Sequence, residues 1–124
     1  MTSTKTTAHD LAERVRAHLC KIAGQSTPIT YQALALNLNL SPPNTIQQLT
    51  VALEVLIEQD AAQSRPLIAA LVISKAREGL PAPGFFDCAA RVGRFEGDAS
   101  GPEAATFHEA ECATATAFWR TNSP

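Results

Sequence analysis

Arg65-Pro66-Leu67-Ile68-Ala69-Ala70-Leu71-Val72-Ile73-Ser74 leads into Lys75-Ala76-Arg77-Glu78 and then Gly79-Leu80-Pro81-Ala82-Pro83-Gly84-Phe85-Phe86. The run Leu67 to Ile73 is unbroken apolar and too short for an ordinary helix, so it predicts a strand buried on both faces. Lys75 to Glu78 forms a charged tip, and Gly79 with the prolines beyond it ends regular structure. A buried strand, a charged turn and a short return have the shape of a wing attached to a helical core.

The residues before this stretch supply the helices of that core. Leu11, Val15, Leu19 and Ile22 share one face of a first helix expected over about Ala8 to Ala23, with Thr7 and Asp10 as its capping pair. Gly24 closes it, and Glu13, Arg14, Arg16 and Lys21 are expected in water. Ile29-Thr30-Tyr31-Gln32-Ala33-Leu34 reads as an N-cap Thr30 with Ile29 stapled onto Leu34, which opens a short helix to Leu38. The alternation of Leu34, Leu36, Leu38 and Leu40 fits a strand as well; the staple and the alanines favour helix. Ser41-Pro42-Pro43 is a turn. Asn44 and Gln47 then suggest a capping box for a longer helix ending near Ala62, with Ile46, Leu49, Leu53, Leu56 and Ile57 as its core stripe and Val51 and Val55 widening it.

Beyond the wing, Phe85 to Val92 reads as a short helix closed by Gly93. Pro102 suits the first turn of a last helix running to about Trp119. Phe107, Ala110, Thr114, Ala117 and Phe118 make its apolar stripe. Trp119, about 100° round from Phe118, is then expected at an edge or in an interface while Phe118 packs inward. The expected fold is a helix-rich α+β domain: a winged-helix-like three-helix core, a short strand and wing, and a C-terminal helix. One domain over 8–119 is expected between disordered tails at 1–7 and 120–124, since 124 residues suffice for one core.

Two stretches resemble a known family. Ile29-Thr30-Tyr31-Gln32-Ala33-Leu34-Ala35 is similar to the opening of the helix-turn-helix in the alkylguanine-DNA alkyltransferase and alkyltransferase-like family. Pro66-Leu67-Ile68-Ala69-Ala70-Leu71-Val72 lies where that family carries its Pro-Cys-His-Arg-Val-Val active-site strand, and Gly79-Leu80 resembles the glycine that follows. The resemblance covers Ile29 to about Phe86 and implies a winged-helix fold. The nucleophile position falls on Leu67, and the family's His and Arg fall on Ile68 and Ala69. None of these accepts an alkyl group or relays a proton, so the alignment excludes the family's reaction. The series Pro66-Leu67, Ala70-Leu71-Val72 and Gly79 to Phe86 is also similar to small bacterial proteins of no known activity.

Charge bears on whether such a fold binds DNA. The formal net charge is −2, and no Lys or Arg lies between Lys21 and Arg65. Duplex binding draws most of its non-specific affinity from cations at phosphates, and this span, which holds the helix-turn-helix, carries Glu54, Glu58 and Asp60 instead. Asn44, Gln47, Gln48, Arg65, Lys75 and Arg77 are the candidate nucleic-acid contacts of a DNA-binding regulator, the alternative reading. The preferred reading is a non-enzymatic binding module working through protein contacts or self-association as a homo-oligomer, with Phe85, Phe86 and Trp119 as candidate interface residues.

Chemistry-bearing patterns are sparse. His108 and Cys112 stand at i, i+4 in His108-Glu109-Ala110-Glu111-Cys112, one residue away from His-Glu-x-x-His, and a zinc site would need His9, His18 or Cys20 as a further ligand. A surface histidine beside a small buried cysteine is the plainer reading, and Cys88 also reads as core. No phosphate loop, nucleophile elbow or lysine–serine dyad occurs. No cofactor, metal or catalytic residue is expected. Three cysteines, Cys20, Cys88 and Cys112, without close spacing favour reduced thiols and a cytoplasmic setting. Neither a secretory leader nor an apolar run of roughly 20 residues for a membrane span is expected.

Overall fold

The computed structural model describes residues 4–25, 27–75, 79–99 and 101–122, with the backbone alone for 4–7. It is helix-rich, with five α-helices and a two-stranded parallel sheet among the described residues. The helices are α1 Thr4–Ile22, α2 Tyr31–Asn37, α3 Thr45–Ala62, α4 Pro83–Arg91 and α5 Pro102–Thr121. The strands are β1 Ile29–Thr30 and β2 Val72–Ile73, paired Ile29 with Val72 and Thr30 with Ile73. None of these helices is long and apolar enough to cross a membrane.

Helix α1 starts earlier than its capping signal suggested, because Thr7 lies inside the helix and not ahead of it. Leu11, Val15 and Leu19 are buried at i, i+4, i+8, and Gly24 follows the helix at φ +82°, a left-handed conformation that glycine takes without strain. Thr30 caps α2 as expected: the Ala33 N–H donates to its Oγ1 at 3.1 Å. Asn44 does not cap α3 with its side chain. Gln48 does the local work, its Nε2 donating to the Ser41 and Pro43 carbonyls at 3.1 and 2.9 Å. Helix α3 lies at the centre, packed against α1, α2 and α4. The contacts of its broad apolar face are thereby largely met inside the chain.

The decisive stretch is buried as its composition requires, yet it is not the seven-residue strand expected. Leu67 to Val72 are all buried. Ile68–Leu71 form a 3-10 turn, and only Val72 and Ile73 pair in a sheet. After β2 the Ser74 N–H donates to the Leu80 carbonyl at 2.8 Å, and the chain enters α4 without a return strand among the described residues.

A buried irregular segment is stable only if its peptide groups find partners, and here side chains from α3, from α5 and from the loop after α4 provide them. The Leu67 N–H donates to Glu111 Oε2 at 2.7 Å and the Ile68 N–H to Asp60 Oδ2 at 3.0 Å. His108 Nε2 lies 2.9 Å from the Ala70 carbonyl, and Trp119 Nε1 donates to the Pro66 carbonyl at 3.0 Å. Arg94 donates to the Arg65 carbonyl. With these five partners in place, Leu67 to Leu71 need no neighbouring strand, and pairing with β1 begins only at Val72.

Candidate functional site

The ionisable groups of the interior gather around that segment. Asp60 is 0% exposed on the inner face of α3. Its Oδ1 lies 2.9 Å from Arg16 of α1 and 3.0 Å from Arg65. Burial raises the Asp60 carboxyl pKa, while the Ile68 N–H and the two guanidinium ions oppose that rise. Both guanidinium ions also sit over the Trp119 ring, Arg16 at 4.8 Å and Arg65 at 5.2 Å from its centroid. Arg16 adds a bond to Gln59 Oε1 at 3.1 Å. Glu111, which holds Leu67, is 3.6 Å from Arg94. The cluster is an ion network built to hold one turn.

Several expected positions change accordingly. Arg16, expected in water, is buried. Arg65, a candidate phosphate contact, is committed to Asp60 and Trp119. Trp119, expected at an edge or interface, is 2% exposed, whereas its neighbour Phe118 is half-buried. The helical stripe facing the core is Ala104, His108, Ala115 and Trp119, one residue round from the stripe read in the sequence. Phe85 and Phe86 are equally unavailable as interface residues: both are buried, edge to face at 5.2 Å, in an aromatic cluster with Phe95 and Phe107. Lys75 is exposed in the turn after β2, and Arg77 lies outside the described residues.

His108 is a core residue and not a surface one. A carbonyl only accepts, so Nε2 carries the proton toward Ala70. Burial lowers the His108 pKa from its ordinary 6.5, the bond to Ala70 offsetting this in part. Below pH 6.5 the unfolded chain therefore binds a proton that the fold resists, and stability falls as pH drops until the folded-state pKa is passed. Thermal melts are expected to show a lower melting temperature at about pH 5 than at about pH 7, with the drop shallower in His108→Gln. An equal drop in both would show that His108 does not carry it. Asp60, with its pKa raised from 3.8, acts in a lower window: its burial costs stability as pH rises through that value.

The thiols are similarly unreactive. Burial pushes Cys88 up to about 11 and raises Cys112 as well, so both remain protonated at neutral pH and are weak nucleophiles. No group of three His, Cys, Asp or Glu side chains with metal-binding geometry forms among the described residues.

The remaining candidates, Asn44, Gln47 and Gln48, are exposed at the start of α3. With Ala8, Leu11, Pro43 and Val51 they line a groove of about 480 Å³ between α1 and α3. No lining residue carries a charge. Within it Val51 is 42% exposed; elsewhere Ile46 in the first turn of α3 is 38% and Leu36 on α2 76% exposed. The expected core stripe of α3 thus begins at Leu49, since Ile46 in the helix's first turn is exposed among the described residues. No family profile, characterised protein or solved structure matches the chain.

Proposed function

We propose that the chain is a non-catalytic, winged-helix-like binding module that acts through contact with another protein. The order α1, β1, α2, α3, β2, with β1 beside β2, supports the winged-helix reading, with the Lys75 turn in the place of the wing. The observation that carries the function is the α1–α3 groove: open, uncharged, apolar at its base and fringed by the amides of Asn44, Gln47 and Gln48. Amides satisfy a polar rim without the desolvation penalty of charges, and exposed Ile46 and Val51 supply apolar area. The buried acids, bases and thiols are occupied with the Arg65–Leu71 segment or are unreactive, which supports a non-enzymatic role.

The DNA-binding alternative would use the same first turn of α3. Phosphates require cations, and of the two described cationic candidates Lys75 is exposed while Arg65 is committed to Asp60. The expected result is no sub-micromolar binding to mixed-sequence duplex at moderate salt. A photo-crosslinking residue at Gln47 is expected to give a discrete protein adduct in cells, lost when Val51→Glu is added. Adducts to nucleic acid, or a protein adduct indifferent to Val51→Glu, would overturn the proposal.

A further inference from the structure

Helix α5 presents a second open face, beside the stripe that holds the core. Ala105, Glu109, Ala113, Ala117 and Arg120 are exposed along it. Together with Leu80, His108, Cys112 and Thr116 they border a groove of about 600 Å³. Glu109 and Arg120 are eleven residues apart, within about 20° of one another around the helix and about 16 Å along it. Neither forms an ion pair among the described residues. Between them the alanines keep the helix surface low, so another helix can approach closely.

The two charges of opposite sign at the ends of a low stripe define their own complement. A copy of the same helix laid antiparallel across it, about a two-fold axis between Thr114 and Ala115, puts Glu109 against Arg120 of the second copy. The symmetry repeats the pair at the other end. In register, Ala113 faces Thr116 and Cys112 faces Ala117, so no two large side chains or like charges meet. We propose that this face of α5 is an isologous interface through which two copies of the chain associate, each leaving its α1–α3 groove free.

Three helical turns bury less than the roughly 800 Å² per partner of a standard complex, so the dimer is weak, with a Kd on the order of 10–100 µM. Sedimentation equilibrium from about 5 µM to 1 mM is expected to show monomer–dimer exchange. Glu109→Arg and Arg120→Glu should each weaken it about tenfold or more, and the double reversal should restore it. Ala113→Gln, which leaves the charges untouched and lengthens one side chain in the stripe, should also separate the copies. A parent that stays monomeric throughout, or a dimer insensitive to these four variants, overturns the proposal. Val51→Glu tests the other groove separately: it should leave the dimer intact, and loss of the dimer in that variant would place the interface on α3 and overturn the assignment to α5.

Discussion

Asp60→Ala is expected to cost about 3–5 kcal/mol, the loss typical of removing one partner from a buried ion pair. The carboxylate is fully buried between Arg16 and Arg65 and accepts the Ile68 N–H. Without it, two neighbouring guanidinium ions are left beside Trp119 with no counter-charge, and a buried peptide N–H loses its acceptor. A small domain has only about 5–15 kcal/mol in hand, so the variant should sit close to unfolding at physiological temperature. Urea melts followed by circular dichroism measure this. Adding Arg16→Met to Asp60→Ala should recover part of the loss, since it removes one orphaned charge and keeps the packing volume. A single variant within about 1 kcal/mol of the parent would mean that the turn is held by apolar packing alone.

Trp119→Ala should be comparably severe, about 3–5 kcal/mol as for other buried large-to-small changes. The ring is 2% exposed, lies under two guanidinium ions and donates to the Pro66 carbonyl. Phe118→Ala, at a half-buried position, should cost only about 1–2 kcal/mol. The order of the two is the informative result, and a larger loss at Phe118 would contradict the packing of α5. Since Trp119 is the sole tryptophan, these melts need circular dichroism as their probe. Its contact with both arginines also predicts coupling: Trp119→Ala and Arg65→Ala together should cost less than the sum of the two alone.

The candidate surfaces were unequally legible. The uncharged character of α3's first turn follows from composition, because no charged residue occurs between Lys21 and Glu54. The groove itself required tertiary contact, since Leu11 and Ala8 of α1 form its other wall. On α5, periodicity of apolar residues points to the wrong stripe because the true one includes polar residues. His108 and Glu111 face inward to hold Ala70 and Leu67, and an apolar count passes over them in favour of Phe107 and Phe118. The same disguise hid Asp60, which continues the face of Leu53, Leu56 and Ile57 on α3.

The amino-acid sequence alone determined the helix-rich class, the cap at Thr30, the end of α3 near Ala62 and the burial of Leu67 to Val72. Each of these depends on local periodicity, on turn chemistry or on the cost of exposing an apolar run, and all three are written within a few residues. Only the tertiary structure decided what conformation the buried run adopts and which of two adjacent aromatics enters the core. An apolar composition requires burial but is silent about hydrogen-bond partners. Those came from Asp60, Glu111, His108 and Trp119, residues 8 to 53 positions away from the groups they bind. With side chains satisfying its peptide groups, the segment closed into a turn where a sheet would otherwise have been needed.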